Sequence, residues 1–241
     1  MSDAEPRNPF TRKGFIFGAI TVGALAGAAV LLAFTSQGGG GDQSNPVAAS
    51  TPVVTATATI DPAAASVCGL AGYETAPTLT SAPATKWSII GTVAAPDAPD
   101  AGPGVTGADG VRSCYSHTSE GALFAIANWW ALGTDARIAK AAIEQLAEPG
   151  PGRDATLAKT STSANRGLSA QIAGFKILSY DGSAVTVDLA WRTNTGQLVS
   201  VPAAAVWLDG DWKISSADDG TSPFPPSALQ SLGGYTPWAG I

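Results

Sequence analysis

The chain has 241 residues, 13 % of them charged, and a formal net charge of −6. From Asp42 onward 10 Lys and Arg face 17 Asp and Glu, a net of −7, so this part lacks the basic excess that phosphate neutralisation needs, which argues against nucleic-acid binding by it. Two cysteines and one histidine cannot furnish the roughly four Cys/His ligands of a structural zinc site, and no metal or cofactor is expected.

Residues 14–35 form the one long uncharged apolar stretch, directly behind Arg7, Arg12 and Lys13. At about 1.5 Å per helical residue, 15–34 makes roughly 30 Å of helix, the thickness of a bilayer's hydrocarbon core. Cationic flanks resist translocation, so residues 1–13 are expected to be a cytoplasmic tail, 14–35 a transmembrane signal-anchor, and the rest to lie outside the cell. A cleavable signal peptide fits less well, because its apolar core runs to about 7–15 residues and Ala33-Phe34-Thr35 is a poor cleavage site. A lipoprotein would need a cysteine directly after the core, and the first is Cys68. The Gly23-to-Gly27 spacing suits close helix approach but reads as a by-product of abundant Gly and Ala.

Residues 36–66 are rich in Gly, then in Pro, Thr and Ala, with no aromatic, and are expected to be a flexible linker, since they cannot bury enough apolar surface to offset ordering. All seven tryptophans follow, which places the folded domain at 67–241. Residues 67–118, with Pro96, Pro99 and Gly102-Pro103-Gly104, read as an extended arm laid over that domain. Outside the cell, Cys68 and Cys114 favour a disulfide stapling the arm, with free thiols as the alternative.

Ser119 is the expected N-cap of a helix over 120–132 that is apolar almost all round, the pattern of a buried helix, ended by Gly133. Thr134 is expected to cap a second helix to 147, with Ile138, Ala142, Ile143 and Leu146 on one face. A weaker third covers 154–163. From Leu168 the period becomes two. Val185, Val187, Leu189 and Trp191 alternate with Thr186, Asp188, Ala190 and Arg192, and turns at Asp181-Gly182, Asn194-Thr195-Gly196 and Asp209-Gly210 delimit antiparallel strands at 168–180, 184–193, 197–208 and 211–216. Pro202 should sit at a bulge or open edge. The tail 221–241 reads as irregular, docked through Phe224, Tyr235 and Trp238. Helices followed by a curved four-stranded antiparallel sheet give an α+β domain.

The Ser119-Glu-Gly-Ala-Leu-Phe124 helix start, the second helix and a meander ending Trp207-Leu-Asp-Gly-Asp-Trp-Lys-Ile214 resemble the nuclear-transport-factor-like (cystatin-like) fold, which implies a cone of helices on that sheet over 119–241. More narrowly, Cys68-Gly-Leu, Trp87-Ser, Gly104, Cys114-Tyr-Ser-His117, Gly121-Ala-Leu-Phe-Ala-Ile-Ala-Asn128 and Gly234-Tyr-Thr-Pro-Trp238 resemble a family of actinobacterial membrane proteins encoded on conjugative plasmids and integrative elements. The resemblance implies an anchored assembly subunit of a type IV secretion-like channel, with other membrane subunits as partners, self-association, and no direct nucleic-acid contact. Such a layout is also used by accessory proteins of envelope lipid-import complexes.

No Lys-Ser/Thr phosphate loop, paired metal motif or nucleophile elbow occurs, so no catalytic residue is assigned and no enzyme is expected. His117, beside Ser116 and Ser119, reads as a helix-start residue near the surface. Asp188 and Tyr180 are the residue types an isomerase-like cone would use, but Asp188 shares its face with Arg192 and reads as half of a solvated ion pair. Most tryptophans read as core. At Trp129 and Trp130, neighbours on a helix point about 100° apart, so one of the two is expected to reach a groove or partner, and this pair is the candidate partner surface.

Overall fold

The computed structural model describes residues 65–160 and 169–240. The apolar stretch 14–35, nearly all of the linker and the end of the third expected helix lie outside the described residues, among which no helix is long and apolar enough to cross a membrane. The region read as an arm holds two strand pairs: β1 (Lys86–Ile90) with β2 (Val93–Asp97), and β3 (Val105–Thr106) with β4 (Arg112–Ser113), both antiparallel. It is more than a strap, because Val93, Ala95, Val111 and Tyr115 are buried in the core. The pattern here is short and small-residue rich (Val-Ala-Ala-Pro), so alternation is weak and burial comes from the helix that lies against it.

That helix is α1 (Ser119–Leu132). It lies between the β1–β2 ribbon and the main sheet, and two flanking layers explain why Leu123, Phe124, Ile126, Ala127 and Leu132 are all sealed from solvent around its circumference. The N-cap is Thr118 rather than Ser119: the Thr118 hydroxyl accepts from the Gly121 amide, and Ser119 is the first helical residue. The second helix, α2 (Ala139–Leu146), starts later than expected. Thr134 does not cap it, because its hydroxyl donates to the Ala131 and Ile90 carbonyls. Pro151 opens α3 (Pro151–Thr160) instead of only breaking the chain, consistent with proline at the first helical position, where its missing N–H costs nothing.

The meander strands are β5 (Ala170–Tyr180), β6 (Ala184–Thr193), β7 (Leu198–Leu208) and β8 (Asp211–Ser215). Val185, Val187, Leu189 and Trp191 face the core, as their alternation predicts. Asp209 and Gly210 hold φ of 54° and 77°, the left-handed pair that a two-residue hairpin turn requires. The cone on a four-stranded sheet does not form. Among the described residues there are three short helices, and the antiparallel sheet has six strands in the order β10-β5-β6-β7-β8, with β9 (Ser227–Leu229) also on β7 and β10 (Thr236–Pro237) on β5. Of the described helices only α1 lies along the sheet's inner face; the chain leaving α2 reaches the β8 edge, where Glu148 N donates to Ile214 O.

The extra strands come from the tail that read as irregular, and edge geometry explains them. β7 has 11 residues and β8 only 5, so β8 pairs with Ala204–Leu208 and leaves the groups of Leu198–Ser200 for β9. Pro202 falls in the gap between the two, its carbonyl turned outward to accept from Ser222 Oγ, so the missing N–H lies on an unpaired stretch of edge. Tyr235 and Trp238 dock the tail as expected, but Phe224 is 36 % exposed.

Candidate functional site

The sequence-predicted residues divide between the two ends of the helix-on-sheet core. One end gathers the start of α1, the β5–β6 turn and the β7–β8 turn. Here Cys68 and Cys114 form the expected disulfide, packed beside Ser66 and the backbone of Gly104, where a side chain would collide with the Cys68 sulfur. Below it Asp211, 2 % exposed, accepts from the amides of Cys114, Tyr115 and Trp212. Burial raises its carboxyl above the ordinary range, and those three bonds with Lys213 offset only part of that rise. The Trp212 indole donates to the Ser116 carbonyl at 3.0 Å.

His117 is not near the surface: it is 4 % exposed, its ring stacks on Trp207 with centroids 3.8 Å apart, and its Nε2 donates to the Gly182 carbonyl. Tyr180 donates to the carbonyls of Glu74 and His117, and burial, then the Glu74 charge, pushes its hydroxyl well up. Ser119 donates through both its amide and its hydroxyl to Glu74. A cleft of about 330 Å³ opens beside Glu74, Asp100 and Glu120, but the Glu74 carboxylate is already occupied by Ser119 and Thr78. Asp188 forms no ion pair with Arg192. It is 7 % exposed, accepts from Ser200 Oγ at 2.8 Å and from the Tyr235 hydroxyl at 2.5 Å, and so fastens the tail to the outer face of the sheet. Alternation correctly placed Asp188 on the outer face; the strand-level pattern carried no sign that the distant Tyr235 covers that face.

The opposite end separates Trp129 from Trp130, as adjacent helical positions must be. Trp129 packs beside Ile90 against Val111, Leu132 and Leu146. Trp130 instead faces Trp191 at the far end of β6, the rings edge to face with centroids 6.4 Å apart. Between them and Val93, Ala170, Val199 and Val201 lies an apolar cleft of about 220 Å³, with Thr92, Thr134 and Thr193 also lining it. The rim is fixed by polar bonds. The Gln171 amide clamps β2 to β5, donating to Thr92 O and accepting from Ala94 N, both at 2.9 Å. Thr134 holds the β1–β2 turn to the end of α1, and Gly91, at φ +56°, leaves room for its hydroxyl. Thr193 Oγ is engaged by Thr195 and Gln197. Among the described residues neither Trp130 Nε1 nor Trp191 Nε1, both buried, meets a hydrogen-bond acceptor.

Of the two residues expected at a partner surface, Trp130 lines this cleft and Trp129 does not. Trp191 is the member that sequence reasoning assigned only to the core. Its one sequence signal was position, as the last apolar residue of a strand next to a glycine turn. Among the described residues no cluster of acidic, His or Cys side chains could hold a metal ion. No curated protein and no solved structure matches the chain. The model of a family described as a domain of unknown function, DUF8175, matches residues 47–237, and over that span, most of its length, the chain belongs to the DUF8175 family.

Proposed function

We propose that this protein is a membrane-anchored structural subunit of a conjugative, type IV secretion-like DNA-transfer apparatus, acting through protein–protein contacts. The observation that carries the reading is the use made of its acid–base groups. His117, Tyr180, Asp188 and Asp211 are each committed to holding backbone or tail in place, which is the behaviour of a scaffold rather than of a reaction centre. The basic-flanked stretch 14–35 supplies the anchor, with the N-terminus in the cytoplasm and the domain outside. Weak contacts gain from several copies confined to one bilayer, so partners are other channel subunits and further copies of this chain. The acidic exported part suits protein partners and not DNA.

Deleting the gene should abolish or strongly lower conjugative DNA transfer; the full chain should restore it and an exported soluble 67–241 fragment should not. Crosslinking in membranes should trap self-contacts or channel subunits. A second reading, an accessory protein of an envelope lipid-import complex, is favoured by the apolar Trp130–Trp191 cleft. Normal transfer in a clean deletion strain would move the weight to it.

A further inference from the structure

The exposed apolar side chains are not scattered. Among the described residues seven large ones stand in solvent, and four of these, Val67, Tyr73, Val105 and Leu208, lie at the disulfide end of the core, a grouping that marks a surface with an occupant. Val67, 68 % exposed, donates its amide to Gly210 O in the turn that Leu208 enters. Val105 follows Gly104, whose backbone lies against the Cys68 sulfur, and the Tyr73 ring, 52 % exposed, meets the His117 ring edge to face. We infer that this surface is covered by the chain's own residues 53–60, laid across it as an extended strand.

Position comes first. The described chain begins at residue 65, beside the Gly210 turn and so among these side chains, and Ile60 is five residues away, within about 17 Å of extended backbone. Composition comes second. Residues 36–45 hold four glycines and no apolar side chain, which suits a tether, but Val53-Val-Thr-Ala-Thr-Ala-Thr-Ile60 has a period of two: Val54, Ala56, Ala58 and Ile60 share one face, Val53 and three threonines the other. The family match starts at 47, close to that change, and so takes in 47–64 along with the folded domain. Charge then selects among occupants. The loops around the surface carry Glu74, Asp181 and Asp209 against Lys213. A second copy would set these acids against its own, and an anionic bilayer would be repelled, whereas 43–60 carries no charge. None of this depends on the DNA-transfer reading. On the anchor reading, docking shortens the tether from 36–64 to 36–52, a reach of about 23 Å in place of about 30 Å, and so sets how far from the bilayer the domain works.

The test uses the full chain in lipid nanodiscs, with Leu208 or Tyr73 replaced by the photo-crosslinker p-benzoylphenylalanine and the products located by mass mapping. Irradiation should join each position to 53–60 of the same chain, and mixing isotopically labelled with unlabelled chains separates that product from one between copies. A product with a second copy, with lipid or only with other parts of the same chain overturns the inference, and so does the absence of any product. Ile60→Asn, on the apolar face, should lower the yield at least about ten-fold, the worth of one buried aliphatic side chain, while Thr57→Asn, on the other face, should leave it unchanged. An equal loss for both, or none for either, overturns the strand. Hydrogen exchange needs no variant. In the unsubstituted chain the amides of 53–60 should exchange at least about ten-fold more slowly than those of 36–45, and equal exchange also overturns the inference.

Discussion

The two ends of the core use the same residue types to opposite effect. At the end that carries the disulfide, the Trp212 indole meets the Ser116 carbonyl and the Asp211 carboxylate meets three amides. At the other, Trp191 is buried and Trp130 half-buried, yet among the described residues their indole donors meet no acceptor. The difference lies in what surrounds each ring. Loop backbone (Cys114, Tyr115, Ser116) runs beneath the first end and offers free amides and carbonyls, whereas strand and helix surround the second, and their backbone groups are already paired with each other. One end is therefore built for permanence, and the other is left incomplete.

The largest break should come from removing the hub of the permanent end. Asp211→Ala leaves the amides of Cys114, Tyr115 and Trp212 buried without an acceptor, and should cost about 3–5 kcal/mol in chemical denaturation. The pH dependence checks the same group. Its folded carboxyl titrates above the ordinary 3.8 because burial opposes the charge. The folded state then holds more protons than the unfolded state between 3.8 and that raised value, so the Asp211 contribution falls as pH rises through the window and is constant above it. Asp211→Ala should lose that slope. A variant that melts with the parent would show that the loop finds other acceptors.

Next in size is the staple. Cys68 and Cys114 are 46 positions apart, and on the chain-entropy model closing such a loop contributes at most about 4 kcal/mol. Cys68→Ser should lower stability by about 2–4 kcal/mol and act on this end alone, leaving the fluorine NMR signals of 5-fluorotryptophan at Trp130 and Trp191 where they were. Movement of those signals would mean that the two ends are coupled.

Much of this contrast lies beyond what alternation and turn chemistry can say. The four meander strands, the left-handed Asp209-Gly210 turn and the buried α1 are local in origin, carried by period, glycine and apolar content, and were legible. The six-stranded sheet was not, because β9 and β10 exist only where β7 and β5 leave edges bare, and their own sequences, Ser-Ala-Leu and Thr-Pro, carry no strand signal. His117 and Asp188 were placed too near solvent for the same reason: Trp207 and Tyr235, which cover them, are distant in the chain. At the open end the divergence of Trp129 from Trp130 was legible from helix geometry, but the pairing of Trp130 with Trp191 depends on the level at which the helix crosses the sheet.

The smallest effect is the one that most sharpens the comparison, and it sets two like substitutions side by side. Trp212→Phe removes the indole donor from the Ser116 carbonyl, leaves that carbonyl buried and unmet, and should cost about 2–3 kcal/mol. Trp191→Phe removes a donor that has no acceptor, so the packing lost with the smaller ring is set against relief of an unmet N–H. The two terms are of similar size, and stability should stay within about 1 kcal/mol of the parent. Both variants are read by thermal melts of the full chain under one set of conditions. If Trp191→Phe destabilises as much as Trp212→Phe, the Trp191 indole has a partner in solution, and the open end is as complete as the closed one. If it is neutral while Trp212→Phe is costly, the contrast between the two ends lies in the indole hydrogen bond and not in the burial of the ring.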